Sequence, residues 1–262
     1  MKHPIGMMDS GFGGISILGE AVRLLPNEDF LYYGDTAHIP YGSKTPQEVY
    51  DLTSRVVEIL LDKGCKAIVI ACNTATSVAV QGLREKYHLP IIGVEPAVKP
   101  AALLPGSGRV AVMATPVTLR QPKFEQLKQT YAPDALLLPC PGLMECVEAG
   151  EVEGDHLHAL LQELLRPCEG ENIKAVVLGC THYPFLRKAI RPFFAPEIPL
   201  MDGGEGVARQ IRRRLAEENL LCEENTPGKV SFLSSAAGEE VLRRMEEMLA
   251  LWQNLAKAEA RL

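Results

Sequence analysis

Two stretches of this chain match each other position by position and constrain its fold more than any other feature. The first runs from Lys66 to Thr74 (KAIVIACNT), and the second runs from Lys174 to His182 (KAVVLGCTH). They lie 108 residues apart, and each joins a Lys-Ala pair to an apolar run, a small residue, a Cys and polar residues. Short apolar runs with such flanks are typical of buried strands in parallel sheets. The repeat therefore predicts a duplicated α/β fold.

The two matched cysteines, Cys72 and Cys180, fall where the predicted strands end. Open α/β sheets bind their ligands beyond the carboxyl ends of the strands. A single Cys is more often a small buried hydrophobe than a reactive group. Here, however, both matched positions carry a thiol, and hydrogen-bonding side chains follow each one. This pattern favours a functional role and predicts one active site between the two halves.

The loops after the first strands of the two halves are also alike. A strand over residues 4–8 leads to Gly11, Gly13 and Gly14, which allow the backbone to approach a small ligand and to point amides at an anion. A strand over residues 109–113 leads in the same way to a polar loop and then to one helix that reaches Tyr131. Further along, Thr45 to Glu48 has the sequence of a capping box with Pro at the first helical position.

These patterns predict an α/β fold with two similar domains, whose parallel sheets are related by internal duplication and whose active site lies in the cleft between them. The Pro- and Ala-rich stretch over residues 95–105 marks the first boundary. We expect the first domain to contain residues 1–97 and 206–262 and the second to contain residues 98–205. A helix over residues 206–218 would return the chain to the first domain.

Composition excludes several classes of protein. The 27 basic and 33 acidic residues give a net charge of −6, and no basic block predicts a nucleic-acid partner. No apolar stretch approaches the roughly 18 residues of a membrane span, and no signal-peptide pattern is visible. The seven Cys show no CxxC pair and no disulfide spacing, which argues against a zinc site and favours the reducing cytoplasm. The five unmatched ones are expected to be structural: Cys65, Cys140, Cys146, Cys168 and Cys222.

Four motifs together resemble a known family, the glutamate racemases of the cofactor-independent amino-acid racemase group. They are DSGFGG at 9–14, GDTAHIPYG at 34–42, ACNTAT at 71–76 and LGCTHYP at 178–184. The resemblance covers most of the chain and departs after Asp202, at Gly203-Gly204 and at SSAA over 234–237.

The resemblance implies that the protein interconverts L- and D-glutamate without pyridoxal phosphate or a metal. It also implies a supply of D-glutamate for peptidoglycan, and so a role in cell wall biogenesis and cell shape. A homodimer is compatible with the resemblance, because the oligomeric state varies within the family.

Elementary chemistry agrees with this interpretation. Inversion of an α-carbon requires a proton to leave one face and another to arrive at the opposite face. Two thiols on opposite faces can do this, one as thiolate and one as thiol, with roles that exchange when the direction reverses. Cys72 and Cys180 each precede a predicted helix, so we expect a helix amino terminus to stabilise negative charge on either sulfur.

The resemblance also assigns roles to neighbouring residues. Asp9 would assist Cys72, whereas His182 and Glu148 would assist Cys180. His182 could instead cap a helix or pack in the core, Glu148 could be a surface carboxylate, and Thr118 could simply start its helix. The implied substrate-binding residues are Asp9, Ser10, Tyr41, Gly42, Asn73, Thr74, Thr115, Thr118, Thr181 and His182.

Three alternatives remain open from the sequence. An aspartate or hydantoin racemase of the same group would carry the same paired thiols. A two-domain protein that binds a small molecule without chemistry would not need them. A cysteine hydrolase built on Cys180 and His182 would leave Cys72 unexplained.

Overall fold

The chain divides into two compact units. The computed structural model describes residues 3–259, with side chains described as far as residue 256. The first unit contains Met1–Val94 and Gly204–Leu262, and the second contains Glu95–Gly203. The domain bounds expected from the sequence, at 97/98 and 205/206, stay a prediction. Residues 1–2 and 260–262, which that prediction includes, lie outside the described residues.

The first unit is built on a five-stranded parallel sheet. Its strands, in chain order, are β1 (Ile5–Asp9), β2 (Phe30–Gly34), β3 (Ala67–Ile70), β4 (Ile91–Gly93) and β9 (Val230–Ser234). In space the order is β4-β3-β1-β2-β9. Every residue of β1 and of β3 is buried, as expected for central strands of a parallel sheet.

The described residues of this unit form five α-helices: α1 (Ile15–Leu24), α2 (Pro46–Asp62), α3 (Asn73–Lys86), α10 (Gly204–Glu217) and α11 (Glu239–Glu259). The start of α2 confirms the predicted capping box. The Glu48 amide donates to Thr45 Oγ1 over 3.3 Å, and the Thr45 amide donates to Glu48 Oε2 over 2.8 Å. Two otherwise unpaired donors at the helix amino terminus are thereby satisfied.

The second unit has a four-stranded parallel sheet. Its strands are β5 (Arg109–Ala114), β6 (Leu136–Pro139), β7 (Ile173–Leu178) and β8 (Leu200–Met201), arranged in the order β6-β5-β7-β8. Its α-helices are α4 (Val98–Ala102), α5 (Pro116–Arg120), α6 (Pro122–Tyr131), α7 (Leu143–Ala149), α8 (Asp155–Leu165) and α9 (Arg187–Ile190).

The two sheets repeat one topology. The order β4-β3-β1-β2 in the first unit corresponds to β8-β7-β5-β6 in the second, and β9 extends the first sheet beside β2. The strands that precede the two matched cysteines, β3 and β7, therefore occupy equivalent positions. This arrangement confirms the predicted α/β fold with two parallel sheets related by duplication.

The helix predicted to reach Tyr131 without interruption is in fact two helices. Gln121 separates α5 from α6 with an extended backbone, φ −72° and ψ 134°. Pro122 follows it, and the ring of a proline disfavours the helical conformation of the preceding residue. The sequence contained this signal, and the expectation of one helix was wrong.

The packing of α1 against α11 predicts the effect of one small substitution. A Cβ at Gly19 would lie 1.8 Å from Trp252 Cδ1, so the buried indole would have to move. We expect Gly19→Ala to lower the free energy of unfolding by about 1–3 kcal/mol, the usual cost of overpacking a core. Trp252 is the only Trp of the chain, so urea unfolding followed by its fluorescence measures the effect.

Gly206→Ala is the matched control. Gly206 lies in α10, and a Cβ there would meet no atom of the described residues within 4 Å. Replacing an unhindered helical Gly with Ala should be neutral or stabilising by up to about 1 kcal/mol. Equal destabilisation by the two substitutions would contradict the packing argument.

Candidate active site

Three strands of the first unit deliver polar side chains to one edge of its sheet. Asp9 ends β1, Asp35 follows β2, and Cys72 follows β3 after one intervening residue. Backbone hydrogen bonds fix their register, because the Asp35 amide donates to the Asp9 carbonyl over 2.9 Å and the Ala71 amide donates to the Met8 carbonyl over 2.8 Å. Segments far apart in sequence thus meet at the carboxyl edge of the sheet, where α/β proteins bind ligands.

Asp9 is completely buried, and the glycine-rich loop is shaped around it. The Gly11 amide donates to Asp9 Oδ2 over 2.8 Å. A Cβ at Gly14 would lie 2.6 Å from Asp9 Cβ and 3.0 Å from Ala71 Cβ, so a side chain there would displace both strand ends. The sequence predicts that amides of this loop point at an anion. In the structure, the anion that the Gly11 amide contacts is the Asp9 carboxylate.

Cys72 occupies the N-cap position of α3 and is 6% exposed. Its sulfur accepts a hydrogen bond from the Ala75 amide over 3.5 Å and lies 3.6 Å from Ser10 Oγ. Helix α3 is 14 residues long, and its amino-terminal amides and dipole stabilise negative charge at this position. The thiol predicted from the repeat is therefore buried, polarised and in contact with Ser10.

Asp35 is a site residue that sequence reasoning missed. Its Oδ2 accepts a hydrogen bond from the Tyr41 hydroxyl over 2.6 Å, and its Oδ1 lies 2.7 Å from His38 Nδ1. Burial, followed by the hydrogen bond to Asp35, raises the pKa of Tyr41 far above its ordinary value and keeps the phenol neutral. Asp35 therefore fixes the loop that carries Tyr41 and Gly42. Its place directly after a predicted strand was the available signal.

Asn73 and Thr74 open α3 beside Cys72. Asn73 Oδ1 is buried and makes no hydrogen bond within the described residues. Leaving such an acceptor unpaired costs about 1–3 kcal/mol, and in native proteins these exceptions require an explanation, of which a missing ligand is one. Thr74 is 8% exposed, and both residues directly follow Cys72 at the edge of the sheet.

The second unit assembles an equivalent edge. Thr115 follows β5, Cys140 follows β6, and Cys180 follows β7 after one intervening residue, Gly179. The Cys140 amide donates to the Ala114 carbonyl over 2.9 Å, and the Gly179 amide donates to the Met113 carbonyl over 2.7 Å. A Cβ at Gly179 would lie 2.8 Å from that carbonyl oxygen, so only glycine fits directly before Cys180.

Cys180 begins a row of three side chains. Its sulfur lies 3.5 Å from His182 Nδ1, and His182 Nε2 lies 2.5 Å from Glu148 Oε1. His182 is 3% exposed, and the side chain of Glu148, which α7 supplies, is 15% exposed. The structure thus brings together the three residues assigned to this half, and it excludes the interpretation of Glu148 as an isolated surface carboxylate.

The charge of His182 results from opposing effects. Burial alone would lower the pKa of its imidazole, but hydrogen bonds and charge from Cys180, followed by those from Glu148, raise it well above the ordinary value. His182 is therefore a buried imidazolium with an acidic group on each ring nitrogen. A charged imidazole, and not the amino terminus of a long α-helix, faces Cys180, because the following segment is a 3-10 helix (Tyr183–Leu186) and then a four-residue α-helix. The helix expected after Cys180 is present, but it begins at Tyr183 as a 3-10 helix and differs from the 14-residue α-helix that follows Cys72.

The three candidate threonines of this unit differ in their exposure to solvent. Thr115 is the N-cap of α5, where its Oγ1 lies 2.9 Å from Thr118 Oγ1 and accepts from the Thr118 amide over 3.3 Å. Thr118 therefore lies within the helix and does not start it. Thr118 and Thr181 are each 6% exposed, whereas Thr115 is partly exposed at the strand end.

All seven cysteines are free thiols. Burial raises the pKa of four unmatched ones, to about 11 for Cys65, about 12 for Cys140 and about 11 for Cys168, and above its ordinary value for Cys146. These groups stay protonated at neutral pH, as expected for structural thiols. Within the described part of the chain, no helix is both long and apolar enough to cross a membrane.

Comparisons with known proteins identify the family to which the chain belongs. The sequence profile of the Asp/Glu/Hydantoin racemase family matches residues 5–211. The chain belongs to the Asp/Glu/Hydantoin racemase family. It is 47% identical over 241 residues to a glutamate racemase of Clostridium botulinum, which covers 91% of this chain and 94% of the relative.

Two solved structures from this family resemble the chain over nearly its whole length. One is glutamate racemase from Thermus thermophilus in complex with beta-chloro-D-alanine, with a TM-score of 0.79, 36% identity and coverage of 95% and 93% of the two chains. The other is Escherichia coli glutamate racemase in complex with L-glutamate and the activator UDP-MurNAc-Ala, with a TM-score of 0.83, 29% identity and coverage of 94% and 95%. The chain is thus an amino-acid racemase of this family.

The contact between His182 and Glu148 predicts how His182 titrates. Glu148→Gln removes a negative charge from Nε2, so the pKa of His182 should fall, as measured by NMR of the imidazole signals. The raised folded-state pKa adds stability that is complete below about pH 6.5, the ordinary His value, and is lost as pH rises through the folded-state pKa. The stability difference between wild type and Glu148→Gln should therefore shrink over that upper range.

Glu145→Gln is the control, because Glu145 lies on the same helix and is exposed. It should leave the His182 titration in place. A His182 pKa that Glu148→Gln leaves unchanged would show that Glu148 does not hold the imidazolium.

Proposed function

We propose that this enzyme interconverts L- and D-glutamate, with Cys72 and Cys180 as the two acid/base groups. The observation that carries the proposal is their matched placement. Each thiol is buried just beyond the carboxyl end of an equivalent strand, and each has polar partners that stabilise negative charge on sulfur. A structural role would not require both halves of a duplicated fold to preserve such an arrangement.

The reaction is a transfer of protons across one α-carbon. From L-glutamate, the Cys180 thiolate takes the α-proton, and the Cys72 thiol then donates its proton to the opposite face. The products are D-glutamate, a Cys180 thiol and a Cys72 thiolate. From D-glutamate, Cys72 takes the proton and Cys180 returns one. Solvent exchange at the sulfurs resets the enzyme between turnovers.

The partner residues keep each sulfur ready for its role. His182, whose pKa is raised by Cys180 and then by Glu148, faces the Cys180 sulfur and compensates its negative charge. In the first unit, the amide of Ala75 and the amino terminus of α3 act on Cys72, and Asp9 lies buried at the same edge. We assign Asp9, Glu148 and His182 to the support of proton transfer.

Substrate binding follows from the chemistry of glutamate. Two carboxylates need hydroxyl, amide and backbone N–H donors, and an ammonium group needs acceptors. The buried, unpaired Asn73 Oδ1 is such an acceptor. We assign the remaining contacts to the side chains or backbone of Ser10, Tyr41, Gly42, Thr74, Thr115, Thr118 and Thr181, with Asp9 and His182 also adjoining the substrate.

The α-proton of an amino acid is much less acidic than a thiol, so the site must stabilise the carbanion-like state. Oriented donors that act without reorganising, together with exclusion of water, provide this kind of stabilisation. The burial of Cys72 and Cys180, 6% and 9% exposed, is consistent with reaction in a site poor in water.

A cysteine hydrolase deserves comparison, because a Cys–His–Glu row also suits nucleophilic catalysis. Two observations argue against hydrolysis here. The family contains racemases, and the hydrolase interpretation leaves Cys72 at the helix amino terminus without a role.

We further propose that the enzyme works in the cytoplasm and supplies D-glutamate for peptidoglycan, and thus serves cell wall biogenesis and cell shape. The proposed mechanism requires reduced thiols, and the cytoplasm keeps thiols reduced. The homodimer that the resemblance allows is also a proposal, which sedimentation equilibrium of the full chain would test.

The first functional prediction concerns the substrate. Purified protein incubated with D-glutamate in deuterated water should lose optical rotation and gain α-deuterium, with no added cofactor and after dialysis against a chelator. Aspartate is the control substrate, because it shares both carboxylates and the ammonium group and lacks one methylene. Faster turnover of aspartate, or of a hydantoin, would contradict the assignment of glutamate.

The second functional prediction separates the two thiols. Cys72→Ser and Cys180→Ser should each abolish racemisation in both directions, since inversion needs an acid and a base. β-Chloroalanine, however, can lose its α-proton to one thiolate and expel chloride without a second donor. Cys72→Ser should therefore release chloride from the L form through Cys180, and Cys180→Ser should release it from the D form through Cys72.

Cys222→Ser is the matched control, since Cys222 is a partly exposed thiol of the first unit. It should racemise glutamate normally. Chloride release from both enantiomers at equal rates by each folded single variant would contradict the assignment of one thiol to each face.

A further inference from the structure

A second group of potential ligands lies in the second unit, apart from the Cys180 row. It consists of Cys146 in α7, Glu151 just after that helix and His156 in the first turn of α8. One sulfur, one carboxylate oxygen and one imidazole nitrogen of these residues all lie within 4.8 Å of one another. His156 Nδ1 lies 2.9 Å and 3.0 Å from the two Glu151 oxygens, so the group already converges on one point.

The backbone holds this convergence in place. Helix α7 ends at Gly150, which has a φ of 82°, and the Glu151 amide donates to the Cys146 carbonyl over 2.8 Å. This bond returns Glu151 to the level of Cys146. A second glycine with positive φ, Gly154 at 124°, then turns the chain into α8 and brings His156 back. The two glycine turns between α7 and α8 therefore bring together three ligands that are spaced five residues apart in the sequence.

The donor set points to a particular class of ion. Thiolate sulfur, imidazole nitrogen and carboxylate oxygen are the three ligand types of zinc, whereas magnesium and calcium prefer oxygen alone. We propose that Cys146, Glu151 and His156 form a binding site for a zinc-class divalent transition metal, with water at the fourth position. Binding releases the thiol proton of Cys146 to solvent.

The surroundings of the three ligands suit such an ion. Cys146 is 4% exposed, whereas the His156 side chain is 72% exposed. The sulfur thus forms the inner end of the site, and the imidazole forms the side that faces solvent, through which the ion enters. The atom separations need only a small contraction for zinc, whose bonds to sulfur, nitrogen and oxygen are about 2.0–2.3 Å long.

The position of the site gives it a structural consequence. Cys146 and Glu148 lie on the same short helix, and Glu148 contacts His182. A bound metal would join the end of α7 to the start of α8, and so hold the helix that positions Glu148. The ion would stabilise the folded protein by mass action and would take no part in proton transfer.

Direct metal binding tests the proposal without any reference to racemisation. The Cys72→Ser/Cys180→Ser variant of the full chain removes both proposed active-site thiols as competing ligands. Isothermal titration calorimetry with zinc chloride should show one bound equivalent of zinc. Adding His156→Asn should weaken binding at least about tenfold, since even partners outside the ligand set cost about 10–100-fold when they are lost.

His158→Asn provides the matched control. His158 is an exposed histidine of the same helix, and its ring packs against Phe193 with centroids 5.3 Å apart. It should leave zinc affinity unchanged. Both histidines are at the surface, so neither substitution threatens folding.

Cobalt provides a test of the thiolate ligand. The same background loaded with cobalt(II) should show thiolate-to-metal charge-transfer absorption, which Cys146→Ala should remove and Cys168→Ala should retain. No bound zinc, equal affinity in the His156→Asn and His158→Asn variants, or a charge-transfer band that survives Cys146→Ala would each overturn the proposal.

Discussion

Parallel strand pairing is the constraint on which the candidate site depends. All strands of each sheet run in one direction, so the residues that follow them emerge at one edge. Asp9, Asp35 and Cys72 meet in this way in the first unit, although α1 and α2 separate them in the sequence. The same geometry gathers Thr115 and Cys180 in the second unit. A slip of one residue would move every side chain of the shifted strand to the opposite face of its sheet and separate these side chains.

The duplication preserves position but not electrostatics. Cys72 is compensated by backbone amides at the amino terminus of a 14-residue helix, whereas Cys180 is compensated by a charged imidazole. The first device is a fixed dipole. The second is a titratable side chain that needs its own partner, Glu148, to remain charged while buried. Two equivalent strands thus present thiols of the same geometry in different surroundings, as expected of halves that have diverged from a common unit.

Sequence patterns predicted the features that depend on local signals. Apolar runs, glycine positions and the Thr45–Glu48 box gave the strands, the loop around Asp9 and the start of α2. The contacts that Asp35 makes within its own loop, with the Tyr41 hydroxyl and His38, were missed, because its position after a strand does not show which side chains it contacts. The helix expected after Cys180 is present, but it starts as a 3-10 helix over Tyr183–Leu186 and continues for only four residues as α9, a difference that the sequence pattern did not predict. Cys146, Glu151 and His156 match no familiar metal motif, since only the turn through two glycines brings them together.

The Cys180 row can exchange a proton because its charges are compensated in both states. A lone buried imidazolium would be strongly disfavoured, as would a lone buried thiolate. With Glu148 on Nε2, the positive charge of His182 is balanced even when Cys180 is a neutral thiol. When Cys180 is a thiolate, the imidazolium lies 3.5 Å away and stabilises it as well. The sulfur can therefore gain and lose a proton without leaving an unpaired charge in the interior, as the acid/base role that we propose for Cys180 requires.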